Sequence, residues 1–421
     1  MPRAHRNRNT TEFSAAVDAL RIDVVAVCGF DIKATKECEL LQQLMQQHDA
    51  RFTLGISTLR RFFNLIPSDN RFSVTTLNSL SRFAGRPGFE YYTDLITDRL
   101  ISANQVHWDV LATQHFPPPE PPGWSELMDR IDAAPFSQIS GLFLQQFALR
   151  TVEAYHRGLT EDEVHRVFKS KRLRRLVMEI LPPLSWIGGF GKDLFEQYLE
   201  TASTEEERLY ALGVLSMSAL FTGDLVEART LVDGVEARTS GLVHILPSTR
   251  ILGLQWLFAA LDDDDNRMDA IWSKMDEGYR IKAQHSSAHA PDREIHFCEM
   301  SARFLLLSRK AHHLDKHLHC LRALRQRPVL QVEANHLLPM LDLHEVWILC
   351  RLQQTEEATQ RFAKLNPKGQ LPFDWAFGQI VYHALGEILQ PHQAEHHRTE
   401  GDRLVASTGF TWLSEQLRRS V

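Results

Sequence analysis

Residues 56–61, ISTLRR, contain the side chains of this chain that are best suited to bind phosphate. Arg60 and Arg61 follow Ser57 and Thr58, so two guanidinium groups and two hydroxyl groups lie within about one turn of a predicted helix. Guanidinium groups bind phosphates and guanine edges through charge-assisted hydrogen bonds, and hydroxyl groups add contacts to phosphate oxygens. The chemistry predicted for this stretch is therefore nucleic-acid binding.

A pair of histidines has the spacing of a possible metal site. His313 and His317, in AHHLDKHLHC, are at i and i+4 and can chelate a metal ion from one helix face. No HExxH pattern accompanies the pair, and Lys316 places a positive charge beside it, so a solvated helix face is the favoured interpretation. The segment GGFGKD, residues 188–193, lacks the glycine spacing and the Ser or Thr of a phosphate-binding loop, and it predicts a flexible connection between helices.

Two charge runs have both a functional and a purely structural interpretation. The basic run KSKRLRRL, residues 169–176, wraps five cations around a helix, where they can contact nucleic acid or an acidic partner, or form intramolecular ion pairs. The acidic run DDDD, residues 262–265, coincides with a predicted turn and predicts a solvated loop. No serine, cysteine or paired-carboxylate constellation accompanies these runs, so we expect no enzymatic activity, no cofactor and no metal ion.

Short helices must position the arginine pair. Helical periodicity predicts a helix in residues 34–50, a second one that begins with Ser57 or Thr58 as its N-cap, and a third in residues 73–85 that Gly85 ends. Their inward stripes are Leu40, Leu41, Leu44 and Met45; Leu59, Phe62, Phe63 and Ile66; and Leu77, Leu80, Phe83 and Ala84. The pattern predicts a compact helical module.

This succession of helices, with a short S-T-L-R-R helix before an S-x-x-T-L-x-x-L-x-x-x-x-G helix, resembles phage-repressor-type helix-turn-helix domains. In that family the short helix enters the major groove, where its first residues reach base edges. The resemblance covers about 35 of the 421 residues, and RFTLG stands where the family has a helix of Q-x-x-L-A type. It implies that DNA is contacted by Ser57, Thr58, Arg60 and Arg61 and that a phosphate is contacted by Ser73.

Charge is unevenly distributed along the chain. Residues 1–91 contain twelve lysines and arginines and nine acidic residues, a net charge of +3, whereas the whole chain carries −6 and the other 330 residues therefore −9. A basic head on an acidic body is typical of a head that touches phosphates, although a charge of +3 also lies within ordinary scatter for a small domain. Any contact with DNA must be local.

Composition predicts a folded protein of a reducing compartment. Hydrophobic residues make up 43% and charged residues 24%. Cysteines are odd in number and never form a CxxC pair, which is typical of free, buried thiols. They are Cys28, Cys38, Cys298, Cys320 and Cys350. No window of 18 apolar residues and no signal peptide is recognised, so we expect a cytoplasmic protein without membrane contact.

The segment HFPPPEPPG, residues 115–123, marks the domain boundary. Five prolines in the six positions 117–122 favour an extended polyproline segment. A spacer is the favoured interpretation, and a ligand for an SH3-like domain is the alternative. We therefore predict an N-terminal domain of residues 1–114, a linker of residues 115–123 and a second domain of residues 124–421.

The second domain is predicted to consist of helical hairpins. In residues 209–238, two apolar stripes are joined by a turn at Gly223 and Asp224. The stripes are Leu212, Leu215, Ser216 and Ala219 in the first helix, and Ala228, Val232 and Val235 in the second. These intervals resemble a tetratricopeptide (TPR) repeat, which implies a close helix contact at Ser216 and Ala228. Ala270 and Ala358 take the place of Ala228 in two more loosely spaced copies.

Further hairpins are predicted for residues 293–308 with 311–325 and 373–389 with 391–407. The C-terminal TGFTWLSEQLRRS predicts a closing helix, with Thr408 near its N-cap and Arg418 and Arg419 in its last turn. Single hairpins cannot bury their apolar faces, so they must stack and form a curved surface.

The sequence as a whole predicts an all-α protein in which a small helix-turn-helix-like domain precedes a TPR-like α-solenoid. The favoured function is that of a DNA-binding regulator whose TPR-like domain senses a peptide, small ligand or partner protein, with a homodimer possible. The alternative is a non-enzymatic scaffold whose N-terminal module also binds protein.

Overall fold

A computed structural model describes eleven stretches of the chain. They are residues 11–49, 54–67, 72–86, 88–93, 123–133, 141–236, 245–284, 290–308, 314–325, 338–367 and 374–420. The chain divides into two compact units, whose described residues lie between 11 and 93 and between 123 and 420. Within these stretches all regular secondary structure is helical and no strand occurs, which confirms the predicted all-α class. Of the predicted linker, only Gly123 lies within the described residues.

The first unit contains four helices around one apolar core. They are α1 (Thr11–Cys28), α2 (Thr35–His48), α3 (Ile56–Phe62) and α4 (Val74–Phe83). Helix α1 packs against α4, and α2 packs against α3. The predicted inward residues of α4 are all buried, and Gly85 ends that helix with a φ of 76°, a backbone conformation that favours glycine.

Two details of the first unit differ from the sequence prediction. Helix α3 begins at Ile56 with Gly55 as its N-cap, so neither Ser57 nor Thr58 caps it. Leu40 is 42% exposed, because α2 turns Cys38, Leu41 and Met45 toward the core instead. The predicted apolar stripe of α2 therefore included one exposed residue, Leu40, because the helix buries only one narrow face.

The second unit is built of sixteen α-helices in the described residues. They are α5 (Trp124–Ala133), α6 (Gly141–Arg157), α7 (Glu161–Lys169), α8 (Lys171–Arg175), α9 (Phe190–Thr201), α10 (Glu205–Thr222), α11 (Leu225–Val232), α12 (Ile245–Leu261), α13 (Asp265–Gln284), α14 (Ala290–Leu307), α15 (Leu314–Arg325), α16 (Leu338–Arg351), α17 (Thr355–Phe362), α18 (Trp375–Leu389), α19 (Ala394–Thr408) and α20 (Thr411–Ser420). A π-helical stretch, Leu176–Ile180, and 3-10 turns at Leu184–Trp186 and Pro391–Gln393 complete it. The hairpins α14–α15 and α18–α19 and the closing helix α20 occur where the sequence predicts them.

From α10 onward, the helices of the second unit form two layers. Helices α10, α12, α14, α16 and α18 pack against one another in succession and constitute the central layer. Each is followed by one helix of the outer layer, which consists of α11, α13, α15, α17 and α19. Nearly every residue of α10 is buried, whereas α11 buries only Ala228 and Val232. The central helices can therefore be apolar all round, and the outer ones carry the polar surface.

The same turn joins three of these helix pairs. A residue with positive φ, namely Gly223, Asp263 or Gln353, ends the central helix. The following N–H donates to the carbonyl five residues back, at 2.8 to 3.0 Å, which satisfies a free carbonyl at the helix end. Five residues beyond the one with positive φ, the outer helix turns a buried side chain inward: Ala228, Met268 or Ala358. Ala270 is exposed, so its predicted equivalence to Ala228 is wrong, because the turn sets the register two residues earlier.

The predicted contact between Ser216 and Ala228 is confirmed. Both residues are fully buried, and Ser216 Oγ donates to the carbonyl oxygen of Ala228 at 2.7 Å. A small side chain at each position allows α10 and α11 to approach closely enough for this bond.

Replacing Ala228 with leucine should lower the free energy of unfolding by about 1 to 3 kcal/mol, because the larger side chain overpacks this contact. Equilibrium denaturation measures the effect, and Val226→Leu serves as the control because Val226 is 77% exposed on the same helix. Equal stability of the two variants would contradict the assigned contact.

Helix α18 contacts two segments that lie far before it in the chain, the 3-10 turn Leu184–Trp186 and α10. Ala376 N at the start of α18 donates to Ser185 Oγ at 3.1 Å, and Phe377 stacks on Phe221 of α10 with ring centroids 5.6 Å apart. Helix α20 packs against α10, α14 and α18, so the C-terminal helix lies on the central layer itself. Its Thr411 hydroxyl donates to the Thr222 carbonyl at 3.1 Å. These contacts join the first, middle and last central helices.

Three segments singled out in the sequence form specific structure. GGFGKD is not a flexible connection: α9 begins within it, at Phe190, and Gly188 lies directly against the backbone of Thr408. In the basic run, Arg172 donates to the Ile131 carbonyl, Arg174 is buried beside Glu207, and Arg175 lies 3.6 Å from Glu179. Most of its charge therefore serves intramolecular contacts.

The acidic run lies at the predicted turn and is exposed, as expected, and its side chains also make specific contacts. Asp262 accepts two hydrogen bonds from the Arg229 guanidinium, both at 2.6 Å, and this pairing holds the pKa of Asp262 below its usual range. Asp263 adopts a positive φ of 57°, and Asp264 Oδ1 accepts from the backbone N–H of Arg267 at 3.0 Å. Of these three consecutive aspartates, Asp262 forms an ion pair, Asp263 adopts the turn conformation and Asp264 caps the next helix.

Candidate nucleic-acid interface

Two apolar side chains and one arginine hold helix α3 in the first unit. Leu59 and Phe62 are fully buried, which fixes the inward face of the helix. Arg21 of α1 caps its C-terminal end: Nε donates to the Phe62 carbonyl, and Nη2 donates to Asn64 Oδ1 at 2.8 Å. A cation at the last carbonyls also complements the helix dipole. The orientation of α3 is therefore set by α1 as well as by its own apolar residues.

Helix α2 supports α3 along its other side. Gln42 Nε2 donates to the Leu54 carbonyl, just before α3, at 2.6 Å. Arg60, near the other end of α3, acts electrostatically on Cys38, which precedes Gln42 by one turn of α2. The two helices therefore run in opposite directions beside each other.

Ser57 and Arg61 form the exposed face of α3. Both are exposed, and they are four residues apart, so they lie above each other on one side of the helix. No ion-pair partner for Arg61 exists in the portion of the chain that the structure describes. This face can offer a hydroxyl group and a guanidinium group to an anionic ligand without breaking an internal bond.

The structure separates the two predicted arginines. Arg60 is half-buried against α2, and its Nε is buried without a hydrogen-bond partner among the described residues. Burial raises the pKa of the Cys38 thiol, and the positive charge of Arg60 opposes that shift. Thr58 is also half-buried. Of the four residues predicted on α3, Ser57 and Arg61 thus share the open face, and Thr58 and Arg60 lie at its edge.

Ser73 is exposed and has a local role. Its hydroxyl oxygen accepts the backbone N–H of Thr76 at 3.0 Å and so caps α4. Phe72, just before it, contacts Phe62 edge to face with ring centroids 5.5 Å apart, which brings the start of α4 beside the end of α3. A phosphate contact by Ser73 would therefore use the hydroxyl of an existing N-cap.

Sequence reasoning missed the buried carboxylate that ties α1 to the end of the unit. Asp23, 1% exposed, accepts a hydrogen bond from the Tyr92 hydroxyl at 2.9 Å and one from Arg86 Nε at 3.2 Å. Burial, with the charge of Asp23 adding to it, raises the pKa of Tyr92 above its usual range. An isolated aspartate within an apolar run is the one sequence signal that indicates this role.

The structure offers little for metal or thiol chemistry in the described residues. His317 is buried, with Nε2 2.9 Å from the Cys298 carbonyl oxygen, and burial lowers its pKa to about 4. His313 lies outside the described residues, and within them no group of three His, Cys, Asp or Glu side chains is arranged to hold a metal ion. Burial raises the pKa values of Cys28 and Cys350 to about 12, so these thiols are unreactive near neutral pH.

Among the helices described, none is long and apolar enough to cross a membrane. The candidate interface is the exposed face of α3, with Ser57 and Arg61 at its centre and Ser73 at the start of the next helix. It is defined by the residues of this chain alone: comparison with protein-family models, with curated proteins and with solved structures found no match.

Proposed function

We propose that this chain is a DNA-binding regulatory protein whose first unit contacts DNA through the open face of α3. The observation that carries the proposal is the exposed guanidinium of Arg61 above Ser57, which has no ion-pair partner among the described residues, on a helix that Arg21 and two buried apolar residues hold in place. A rigid cationic helix face suits contact with phosphates and base edges in the major groove. The excess of basic residues in residues 1–91 supports the same assignment.

The second unit would sense a peptide, a small ligand or a partner protein. Its succession of helix pairs, with the same turn at three of them, supports a TPR-like arrangement. Because α20 packs on the central layer, the surface that is open to a partner is the polar outer layer. A homodimer would present two α3 faces, as helix-turn-helix regulators do at paired half-sites. A cytoplasmic location would keep the five free thiols reduced.

Replacing Arg61 with alanine should weaken DNA binding at least about tenfold, because one charge-assisted contact to phosphate or guanine is lost. The dependence of affinity on salt concentration should also become shallower, by about one released counterion. Titration of the full chain with a mixed-sequence DNA duplex at two salt concentrations measures both effects.

Arg130→Ala is the matched control, because it removes the same charge from an exposed helix position of the second unit. Arg60→Ala should weaken binding less than Arg61→Ala, since Arg60 is half-buried. Equal losses in Arg61→Ala and Arg130→Ala would contradict the interface. An unmodified chain without salt-sensitive DNA binding would favour the scaffold alternative, in which the first unit binds protein.

A further inference from the structure

Two histidines face each other across the last helical hairpin, α18–α19. His383 Nδ1 and His397 Nδ1 are 3.1 Å apart, and His397 Nε2 lies 3.0 Å from Gln390 Oε1. The side-chain amide oxygen of Gln390 can only accept a hydrogen bond, so His397 Nε2 is the donor and carries a proton. His397 Nδ1 is then an acceptor, and His383 Nδ1 donates to it. The contact therefore depends on a neutral His397.

Gly386 makes room for the His397 imidazole. A Cβ atom on Gly386 of α18 would lie 2.4 Å from the His397 ring, so only glycine leaves room for that ring. On α19, a Cβ atom on Gly401 would lie 3.5 Å from His383 Cβ, which is an ordinary contact. His397 is only 3% exposed. Packing against Gly386 limits the rotation of the His397 ring, so His397 meets a change of charge within the contact.

We propose that the His383–His397 pair is an acid-sensitive contact that releases α19 from α18 when both imidazoles are protonated. Protonation of His397 Nδ1 removes the acceptor, so two N–H groups then face each other at 3.1 Å, and protonation of His383 Nε2 as well gives both rings a positive charge. Helix α18 also carries the contacts of Ala376 with Ser185 and of Phe377 with Phe221. Acidification therefore acts on the hairpin whose first helix makes these long-range contacts.

The surroundings add to this sensitivity. Charged and titratable groups near the pair are His396, Glu400 and Arg403 on α19, His392 in the preceding turn, and Tyr382 on α18. Only Glu400 favours protonation of His383, and its carboxylate is paired with Arg403 at 2.8 Å. Helix α17 contributes the uncharged ring of Phe362, and Arg418 of α20 is engaged with Asp402 and Glu387.

The direction of the pH effect follows from these shifts. Burial, with the neighbouring His397 adding to it, lowers the pKa of His383 to about 4, and burial likewise lowers the pKa of His397. A histidine whose pKa is lower in the folded state stabilises it fully above its unfolded value of about 6.5. That contribution is lost progressively as the pH falls from about 6.5 toward 4.

Replacing His383 with asparagine tests the proposal. The Asn amide reaches the position of Nδ1 and can donate to neutral His397 or, after a flip, accept from protonated His397. Between pH 7.5 and 5, amide-exchange protection of α19 in the unmodified full chain should fall about tenfold after correction for intrinsic rates. In His383→Asn it should fall less than about twofold, and His165→Asn, which changes an exposed histidine of α7, should behave as the unmodified chain.

Equal losses of protection in the unmodified chain and His383→Asn would overturn the proposal, as would an unmodified chain that loses none. An NMR titration of the unmodified chain gives a second readout that requires no variant. We expect His397 to titrate below the ordinary imidazole value of about 6.5, and a titration at or above that value would refute the contact.

Discussion

Replacing Arg303 with methionine is expected to lower the free energy of unfolding of the second unit by about 4 kcal/mol. Arg303 of α14 is 2% exposed, donates to Glu299, and lies 3.2 Å from Asp374 at the start of α18. Its guanidinium also lies 4.7 Å from the centre of the Phe377 ring. Methionine keeps much of the packing volume but removes the cation that pairs with the buried Glu299 and the partly buried Asp374, which is the costly part of the change.

Because Glu299 and Arg303 are buried, the loss of the Arg303 charge is difficult to compensate. Burial and the charge of Asp374 raise the pKa of Glu299, and Arg303 acts in the opposite direction. Without Arg303, Glu299 should therefore take up a proton at higher pH than in the unmodified chain. The stability difference between Arg303→Met and the unmodified chain should consequently shrink as the pH falls.

Denaturant-induced unfolding, followed at pH 7.5 and pH 5, measures both effects. Arg208→Met is the matched control, because Arg208 forms an exposed ion pair with Glu205, a class that contributes at most about 1 kcal/mol. A loss in Arg303→Met no larger than that in Arg208→Met would show that the buried cluster is not a stabilising connection between α14 and α18.

Replacing Gly188 with alanine is expected to cost about 3 kcal/mol and to loosen the contact between the segment before α9 and the junction of α19 and α20. The added Cβ would lie 1.9 Å from the Thr408 carbonyl oxygen and 3.4 Å from the Phe410 ring. Because the closest atom belongs to the backbone, no side-chain rotation can relieve the clash. Either α9 or the junction between α19 and α20 must shift.

Thermal unfolding and amide exchange of α20 provide the measurements. Gly401→Ala is the control, since the same methyl group would meet only ordinary contact there, with its nearest neighbour at 3.5 Å. We expect this control to match or exceed the unmodified chain in stability, because alanine favours helix over glycine. A Gly188→Ala protein with unchanged melting and unchanged protection of α20 would contradict the closed contact.

Local signals in the sequence were sufficient for much of the fold. Gly223 and Asp224 indicate a turn, and the small residues Ser216 and Ala228 on either side indicate a close helix pair, which the structure confirms. Ala270 was placed wrongly because the equivalent turn uses Asp263 in the left-handed conformation, where sequence reasoning expects glycine. Amino-acid preferences locate a turn less well when a residue other than glycine adopts the left-handed conformation.

For the candidate interface, the sequence by itself determined that an arginine pair lies on a short helix with an apolar inward face. Tertiary structure decided that Arg61 is exposed while Arg60 lies against α2, because the neighbouring helix and the cap from Arg21 set the rotation of α3. In the second unit the sequence determined helix pairs and their order. The contacts of Gly188 with Thr408 and of Arg303 with Asp374 are visible only in the structure. Contacts between residues far apart in the chain leave no periodic signal in either segment.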